Sequence, residues 1–592
     1  MIRPDYQPLE KVLQNRLFEI PNYQRAYSWR IEQINDLHND ITNLKKQPND
    51  RHHFMATIVC LATQRIEEIV TDEFKVLQIV DGQQRLTTLI IFLKAIELSL
   101  DRSNETQKRE ADKIKELLVK DDGRLILLQT NHDSSSIFRN FLVNGTIPQK
   151  ENLKTNAEVR LFDSFNHSLK FVENWKKAED VLALLKLVKN RLGFIFYELE
   201  DEGSVYSTFE VLNSRGLPVD WLDKCKSTLM GIAFEKLGNA IRDHHISQLH
   251  QIWSDIYRTI GVNEIQGHEI LRFAATLHKA KQEGSESYLS KAISAEDALD
   301  YFRNFCNSNP TITIDVTDWI SCVTRELRKL YDNPRLKAVT DILHARLLAV
   351  SILLLPENNM NVQLKNKLLE QWENVTFRIF GLFRNQNGKT NDSRLKVGDY
   401  TRLACKITDT YKKYNETDQL FYFIMYSLIE LGKDYSIDTV VDSLKGKDCY
   451  NDWSDQLIYF MRRYEEYLCR KSNITFDESY WVKVWNKSPY RSIEHIMPEE
   501  ATPPKWDVDS QSIDFSKNLH RLGNLIIYPI KDNILAGNRS FDSKKELYKK
   551  NKLNLMEEII VKKDWNYKEI ENRESFLLKF AREQWKDLSL EV

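Results

Sequence analysis

The chain has 592 residues, a net charge of −2, and 42% hydrophobic against 29% charged residues. This composition is typical of a folded chain rather than a disordered one, and the length predicts two to four domains. The near-neutral charge excludes a chain that binds nucleic acid over its whole surface, so any such contact must come from local basic patches. Seven cysteines without a C-x-x-C pair argue against a disulfide framework and against a cysteine-built zinc site.

The sequence contains no segment that predicts a membrane span or a signal peptide. Its longest apolar run, residues 347–355, is too short to cross a bilayer and ends at Pro356. The first ten residues lack the apolar core of a signal peptide. With scattered cysteines that suit a reducing compartment, we expect a cytoplasmic protein with no membrane partner.

Three regions with different sequence patterns follow one another along the chain. Residues 1–230 are predicted to be mixed α/β, with strands at 53–62, 74–80 and 191–200 and a helix at 85–100 whose apolar residues share one stripe. Residues 231–430 are dominated by helical periodicity, and residues 431–592 combine many aromatic residues with short segments. The expected fold class is therefore a predominantly helical, multidomain α+β protein.

Three polar stretches lie close to predicted strand or helix ends in the first region. They are "IPNYQRAYSW" (20–29), "DGQQR" (81–85) and "FEVLNSRGLPVD" (209–220). A helix start after Gly82 offers N–H groups to a phosphate, Arg25 and Arg85 suit phosphate oxygens, and Asp81 suits Mg²⁺. The same residues also suit an ordinary strand–turn–helix with Asp81 as the cap, and the residues alone leave these alternatives open.

A second polar constellation lies near the carboxyl end. "RSIEHIMPEE" (491–500) places Glu494 and His495 in a short apolar stretch that Pro498 ends. A histidine suits a general base for phosphodiester hydrolysis and a glutamate suits a hard metal ion. Neighbouring strand residues point to opposite faces, so both can face one spot only if the strand ends or bends there. The plain alternative is a buried histidine beside an exposed glutamate.

These stretches resemble the GmrSD-type, modification-dependent (type IV) restriction endonucleases at both ends of the chain. The amino-terminal motifs, followed by "DKCK" (223–226), are similar to the family's ParB/sulfiredoxin-like domain, which binds and hydrolyses a nucleoside triphosphate with Mg²⁺ and thereby regulates the nuclease. "IEHIMP", "HRLGNLIIYP" and the "DN" and "GNRSF" that follow resemble its HNH-type (ββα-metal) nuclease domain. The resemblance implies an NTPase domain at 1–230, a helical linker domain at 231–430 and a nuclease domain at 431–592.

The resemblance also assigns roles to individual residues. The implied nucleotide-binding residues are Asp81, Gly82, Gln83, Gln84, Arg85, Tyr23, Gln24 and Arg25, with Asn213 and Arg215 closing the pocket. The implied nuclease residues are His495 as general base, Asn524 as the central asparagine, and Glu494, Asn538 and Asn533 on the metal side. Lys544, Lys545 and Lys549 are expected on a helix that faces the DNA backbone, although they also fit a solvated helix face.

The function that the resemblance implies is a nucleotide-regulated, Mg²⁺-dependent DNA endonuclease that cuts foreign, modified DNA in antiphage defence. Two alternatives remain open: a ParB-like, nucleotide-dependent DNA-binding regulator with an inactive nuclease domain, and an RNA-cleaving toxin. Because one HNH site cuts one strand, a double-strand break would need two cuts, which a homodimer would supply.

Overall fold

The computed structural model describes most of the chain. The described residues are 5–21, 24, 26–47, 53–69, 71–130, 134–199, 220–261, 265–284, 289–333, 335–336, 342–383, 396–414, 416–451, 453–479, 481, 492–508, 510–551 and 553–587. Four of the predicted nucleotide-binding residues, Tyr23, Arg25, Asn213 and Arg215, lie outside these ranges. Within them the protein is predominantly helical with one mixed sheet, which confirms the expected α+β class.

The chain divides into two compact units. The amino-terminal unit comprises Met1–Ala275 and Ser294–Arg328, and the carboxy-terminal unit comprises Thr276–Ile293 and Lys329–Val592. The residues predicted as a helical middle are helical throughout most of their described length, and they fall partly in each unit. The boundaries predicted at residues 230 and 430 stay predictions.

A mixed sheet of six strands forms the centre of the amino-terminal unit, counted over the described residues. Its spatial order is β1-β8-β3-β4-β2-β7. The strands are β1 (Asp5–Pro8), β2 (Arg16–Ile20), β3 (His53–Ile69), β4 (Asp72–Asp81), β7 (Leu128–Thr130) and β8 (Leu192–Leu199), while β5 (Val119–Lys120) and β6 (Leu125–Ile126) pair separately. The pairs β3–β8, β2–β4 and β2–β7 are parallel, and β1–β8 and β3–β4 are antiparallel. The three strands predicted from the sequence are thus confirmed as β3, β4 and β8.

Helices lie between these strands along the chain and follow the last of them. They are α1 (Leu9–Leu13), α2 (Ile31–Lys45), α3 (Gln83–Ser99), α4 (Glu105–Leu118), α5 (Ser135–Asn144), α6 (Asn156–Ala178), α7 (Val181–Arg191), α8 (Trp221–Lys236), α9 (Asn239–Ile260), α10 (Gly267–Glu283), α11 (Ala295–Ser308) and α12 (Thr313–Asp332). Polar side chains at several helix starts accept backbone N–H groups of the first turn, as Thr155 does for Glu158 before α6.

Helix α3 lies at the centre of the amino-terminal unit. The predicted stripe is buried throughout, with Leu86, Leu89, Ile90, Leu93 and Ile96 at 1% exposure or less. The opposite face is buried as well, and it includes the ion pair of Lys94 and Glu97 with 2.6 Å between Nζ and Oε2. Helix α3 is therefore buried from Gln83 to Glu97 with the exception of Arg85, and the chain turns directly from β4 into this core helix.

The carboxy-terminal unit combines helices with one short two-stranded sheet. The helices are α13 (Leu343–Leu353), α14 (Val362–Thr376), α15 (Val397–Thr410), α16 (Thr417–Leu431), α17 (Ile437–Leu444), α18 (Ser454–Lys471), α19 (Ile513–Leu519), α20 (Ile530–Ala536), α21 (Phe541–Tyr548), α22 (Glu557–Ile560) and α23 (Tyr567–Gln584). The strands are β9 (Ile493–His495) and β10 (Leu525–Ile527), and they pair antiparallel. Both strands and the helix after them match the elements predicted around "SIEHIMP", "NLIIYP" and "FDSKKELYKKNKL", although α21 is shorter than expected.

A glycine allows α23 to pack directly on the turn before β10. A Cβ atom at Gly523 would lie 1.9 Å from the carbonyl oxygen of Ile570 and 2.9 Å from the backbone nitrogen of Glu574. Any side chain at residue 523 would therefore push α23 away. This close approach fixes the turn that carries the central asparagine, Asn524.

The longest apolar run of the sequence is a core helix. Helix α13 buries Leu347, Leu348 and Ile352 completely, and the indole nitrogen of Trp372 donates a hydrogen bond to the carbonyl oxygen of Ala345 at its start. Across the described ranges, none of the helices has both the length and the hydropathy that crossing a bilayer requires.

Candidate functional site

The "DGQQR" motif forms the junction between β4 and α3. Asp81 ends the strand, and Gly82 precedes the helix with a φ of 94°, in the left-handed region that favours glycine. A Cβ atom at Gly82 would also lie 3.2 Å from the carbonyl oxygen of Thr57 and 3.1 Å from Cγ1 of Ile58. The junction therefore requires glycine for its conformation and for its close approach to β3.

Gln84 joins this junction to the "IPNYQRAYSW" segment. Its amide oxygen accepts a hydrogen bond from the backbone nitrogen of Ser28 at 2.8 Å, and its amide nitrogen donates to the carbonyl oxygen of Ala26 at 3.1 Å. The buried hydroxyl of Tyr27 lies 2.7 Å from Oγ1 of Thr88, one turn further along α3. Two of the three polar motifs are thus brought together.

Gln24 and Gln83 each leave one buried acceptor unused. The amide nitrogen of Gln24 donates to the carbonyl oxygens of Ile79 (2.6 Å) and Val80 (2.7 Å), so its side chain is held at the end of β4. The amide oxygens of Gln24 and Gln83 are buried and accept no hydrogen bond from any described residue. Such acceptors are costly to leave unpaired, and a bound molecule with N–H or O–H groups would satisfy them.

The solvent side of this junction is the surface on which a phosphate could lie. Asp81, at the end of β4, and Arg85, in the first turn of α3, are both half-buried. On the inner side, Gln83 and Gln84 line a cavity of about 20 Å³, which has room for one water molecule and not for a nucleotide. A nucleotide would therefore have to lie along the outer face of the helix start.

In the carboxy-terminal unit, Glu494 and His495 point to opposite faces of the β9–β10 pair. His495 is opposite Leu525 and Glu494 is opposite Ile526 in the register. Glu494 enters the core, where its Oε1 accepts hydrogen bonds from Nζ of Lys544 (2.7 Å) and from the hydroxyl of Tyr548 (2.8 Å). Burial raises the pKa of Glu494 above its ordinary value, against the opposing effect of Lys544.

The placement of Lys544 differs from the expectation that it faces a phosphate. The side chain is fully buried, and its ammonium group donates to Glu494 and, at 2.7 Å, to the carbonyl oxygen of His495. Phe541, Lys544 and Tyr548 share one face of α21, and that face packs inward. Lys544 therefore holds the end of β9 in place, and a DNA contact is not available to it in this structure.

His495 pairs with a second histidine. Its Nε2 lies 3.0 Å from Nδ1 of His520, and the ring of Tyr450 packs edge-on against His495 and stacks on His520, with centroids 4.5 Å and 5.1 Å apart. Burial lowers the pKa of His495 to about 3, and the neighbouring His520 acts in the same direction. His495 is therefore neutral at physiological pH, with one ring nitrogen that carries no proton.

Glu499 completes a cluster of three potential metal ligands. One ligand atom each from His495, Glu499 and His520 lies within 4.8 Å of the others. The carboxylate of Glu499 is more than half exposed, with Oε1 4.0 Å from Nδ1 of His495. Sequence reasoning missed His520, Glu499 and Tyr450. Two signals were present: His520 precedes Asn524 by four residues, and Glu499 follows His495 by four.

The side chain of Asn524 forms hydrogen bonds with the segment that follows β9 and with the segment that precedes β10. Its amide nitrogen donates to the carbonyl oxygens of Met497 (2.9 Å) and Leu519 (2.8 Å). Its amide oxygen accepts from the backbone nitrogen of Met497 (2.8 Å) and from the indole of Trp565 (3.1 Å). The side chain is fully buried and uses both ends, so its role here is to position the segment that follows His495.

The other predicted metal-side residues have separate partners. The amide of Asn533 donates to the carbonyl oxygen of Ile493 at 2.9 Å, and that of the exposed Asn538 donates to Oε2 of Glu500 at 2.7 Å. Glu494 is engaged with Lys544 on the inner face of β9. In this structure Glu494, Asn533 and Asn538 are thus each hydrogen-bonded to a different partner, and their assignment to the metal side stays a prediction.

The two remaining predicted DNA-binding lysines, Lys545 and Lys549, lie on α21 and directly after it. Nζ of Lys545 is 2.8 Å from a carboxylate oxygen of Asp542 and donates to the carbonyl oxygen of Lys562 at 3.2 Å. Lys549 is exposed and pairs with Glu546. Because surface ion pairs contribute little to stability, the ammonium group of Lys549 remains available to a stronger anionic partner. The side chain of Lys545 is only 17% exposed and is held by backbone carbonyl oxygens.

Comparisons with known proteins give a family match for each of the two parts of the chain that carry these sites. Residues 9–230 match the family described as the GmrSD restriction endonuclease amino-terminal domain, and residues 434–580 match the GmrSD restriction endonuclease carboxy-terminal domain. A search of curated proteins finds no match. The two matches stand in the order that their names state, they cover more than half of the chain, and they include the "DGQQR" junction and the His495 cluster. The chain belongs to the GmrSD restriction endonucleases.

Proposed function

We propose that this member of the family is a divalent-metal-dependent endonuclease that cuts modified phage DNA in antiphage defence and is regulated by a nucleoside triphosphate. The observation that carries the proposal is the pairing of the buried, neutral His495 with His520 beside the loop that Asn524 holds. A ParB/sulfiredoxin-like fold for the amino-terminal domain and an HNH-type fold for the carboxy-terminal domain are part of the same proposal.

The histidine pair supplies what phosphodiester hydrolysis needs from a protein side chain. A neutral imidazole activates water either by accepting its proton or by holding a metal ion to which the water binds. Burial keeps His495 neutral, and its two ring nitrogens face His520 and Glu499. A divalent ion bound in such a centre lowers the pKa of water and neutralises negative charge at the leaving oxygen.

Lys544, Glu494 and Tyr548 act as positioning residues in this proposal. The hydrogen bond from Lys544 to the carbonyl oxygen of His495 fixes the end of β9, and Glu494 fixes Lys544. Because reacting groups must be held within a fraction of an ångström, a rigid support of this kind favours catalysis without touching the substrate. Contact with the DNA backbone is proposed for the exposed Lys549 and the partly exposed Lys545 of the same region.

The β4–α3 junction is the proposed nucleotide site. The start of α3 favours phosphate because first-turn N–H groups lack intrahelical acceptors and the helix dipole is positive there. Asp81 suits the accompanying Mg²⁺ and Arg85 suits the phosphate oxygens.

Nucleotide regulation is tested with variants of the junction. Asp81→Ala and Arg85→Ala proteins are compared with wild type and with Arg109→Ala, an exposed arginine of α4 in the same unit. We expect both junction variants to lose binding of a fluorescent nucleoside triphosphate and to lose the effect of nucleotide on DNA cutting, while Arg109→Ala retains both. Loss of binding with unchanged, still nucleotide-sensitive cutting would contradict regulation through this junction.

A further inference from the structure

The most exposed large apolar side chains lie in the part of the chain that matches the carboxy-terminal domain of the family. Ile513 (73%), Ile534 (75%) and Val561 (79%) are the three that exceed 70% exposure among the described residues. Of these, only Ile534 is followed or preceded by another exposed large apolar residue, Leu535 at 53%. Single exposed apolar residues are ordinary on a protein surface, whereas an adjacent pair on one helix is a candidate contact surface.

Helix α20 turns this apolar pair outward together with a lysine. Asn533 is half-buried and Ala536 is buried, whereas Lys531, Ile534 and Leu535 are exposed. Residues three and four apart share one face of a helix, so Lys531 lies beside both apolar side chains. Lys531, Ile534 and Leu535 together are called the α20 face.

Helix α20 lies along the open edge of the strand that carries His495. The amide of Asn533 donates to the carbonyl oxygen of Ile493 at 2.9 Å, and Nζ of Lys544 donates to that of His495 at 2.7 Å. The two carbonyl groups are two residues apart, about 7 Å along a strand, and they point to the same edge. The residue that anchors the α20 face is thus about two base-pair steps from His495 along the strand, since one step is about 3.4 Å.

We propose that Ile534 and Leu535 form an apolar wedge that enters the minor groove of the DNA and separates two stacked base pairs beside the phosphate to be cut. The inference rests on the proposed nuclease function and deepens it by naming residues that deform the substrate. Leucine and isoleucine side chains kink DNA when they are inserted between base steps from the minor groove. That groove is about 6 Å wide and admits side chains rather than a whole helix.

The charges around the pair favour DNA as the partner. Lys531 lies beside the apolar pair and the exposed Arg539 follows the helix, and neither forms an ion pair with any residue in the described ranges. The one carboxylate of α20, Asp532, is half-buried. A duplex offers an apolar base stack between two lines of phosphates, which matches apolar side chains flanked by cations. A protein partner fits less well, because lysine is depleted in protein–protein interfaces.

A wedge at this place supplies a deformation that the site needs. His495 is 8% exposed, so the phosphate to be cut has to enter a recess. Insertion of apolar side chains between base pairs bends the duplex and moves the backbone away from its straight path. The α20 face thus acts on the shape of the DNA, and Lys531 holds the neighbouring phosphate.

The test measures DNA binding by the full-length protein in a chelator, so that no strand is cut. Two short duplexes of one sequence are titrated at several salt concentrations, one fully paired and one with a single mismatch beside the fluorescent base 2-aminopurine. A mismatch lowers the free energy needed to separate the bases. The double variant Ile534→Ser with Leu535→Ser is compared with wild type, with Lys531→Gln and with Val362→Ser. Val362 is the matched control, because it begins α14 and is 56% exposed.

Wild type and Val362→Ser should bind the mismatched duplex more tightly than the paired one and raise the fluorescence of 2-aminopurine, which increases when the base is unstacked. The double variant should bind the mismatched duplex about tenfold more weakly and leave the fluorescence unchanged, with the same salt dependence as wild type. Lys531→Gln should retain the fluorescence increase and reduce the slope of log affinity against log salt by about 0.9, the share of one phosphate contact.

Equal affinity and equal fluorescence in the double variant and wild type would overturn the proposal, as would wild-type protein that binds DNA without unstacking it or binds neither duplex. A lower molecular mass of the double variant by light scattering, with unchanged DNA binding, would assign the pair to a contact between two copies of the chain instead. Wild-type protein that unstacks DNA through this pair but cuts no DNA with divalent metal would overturn the proposed nuclease function and leave the wedge standing.

Discussion

Nε2 of His495 lies 3.0 Å from Nδ1 of His520, although 25 residues separate the two histidines in the chain. They meet because β9 ends at His495, β10 pairs antiparallel with it, and His520 lies in the segment that leads into β10. Asn524 ties that same segment to the loop after His495 through Met497 and Leu519. The paired strands and one asparagine thus assemble the centre.

Replacing Asn524 with alanine should loosen this assembly. The change leaves the backbone nitrogen of Met497 and the indole of Trp565 without their partner, and each buried donor left unpaired costs about 1–3 kcal/mol. We expect Asn524→Ala to lower the free energy of unfolding by roughly 2–4 kcal/mol, measured by urea denaturation. Asn538→Ala, which loses one exposed hydrogen bond, should change it little; equal stability of the two variants would contradict this role of Asn524.

Lys544 should be required for the stability of the fold, because Glu494 is buried beside it. Lys544→Met leaves a buried carboxylate without its cation, which ordinarily costs about 3–5 kcal/mol. Adding Glu494→Gln removes the charge and should recover part of the loss, since glutamine can still accept the hydroxyl of Tyr548. Thermal unfolding of both variants and of the surface control Lys549→Met measures this. A double variant less stable than Lys544→Met would refute the pairing.

Gly82 should tolerate no side chain. Its φ of 94° and the 3.2 Å approach to the carbonyl oxygen of Thr57 both oppose a Cβ atom, so Gly82→Ala should destabilise the chain by about 1–3 kcal/mol and weaken nucleotide binding. Gly238→Ala is the matched control, because it precedes α9 with a φ of −65° and has no atom within 4 Å of an added Cβ. If Gly82→Ala left the nucleotide affinity unchanged, the nucleotide would not bind at this junction.

His38 should make the amino-terminal unit sensitive to acid. It stacks on Phe171 with a centroid distance of 4.2 Å, and burial lowers its pKa from 6.5 to about 4, with a smaller effect of His167 in the same direction. Between those values the unfolded chain binds the proton and the folded chain does not, so stability falls as the pH falls from 6.5 toward 4, by up to about 1.4 kcal/mol per pH unit.

Thermal unfolding at pH 7, 6 and 5 measures that slope. His38→Gln removes the titrating ring and should flatten the decline, whereas the exposed His268→Gln should keep it. An identical slope in wild type and His38→Gln would show that other groups cause the acid sensitivity.

Local sequence patterns predicted the strands and helices whose formation depends on residues close together in the chain. Strands β3, β4 and β8 were visible as runs of β-branched and aromatic residues, and the buried stripe of α3 followed from its periodicity. Burial of the opposite face of α3, with Lys94 and Glu97, could not be predicted, because a stripe identifies one packed face and tertiary packing decides the rest.

In the candidate site, too, local patterns were predictable from the sequence and contacts between distant segments were not. Alternation along β9 indicated that Glu494 and His495 face opposite sides of the strand. The structure follows this rule, so the two side chains do not share one site. Phe541, Lys544 and Tyr548 stand at helical spacing, a signal that Lys544 lies on the buried face of α21. The partnership of His495 with His520 and Tyr450 depends on contacts between distant segments, which no local pattern encodes.

The central claim is that His495 lies at the centre of a DNA-cutting site. Its most direct test is plasmid cleavage by purified wild-type and His495→Ala protein, with divalent metal, on modified and unmodified DNA, each with and without a panel of nucleoside triphosphates. The account predicts cutting by wild type alone, dependent on nucleotide and on modification. Equal cutting by His495→Ala, or nucleotide hydrolysis by wild type without cutting of any DNA, would contradict it.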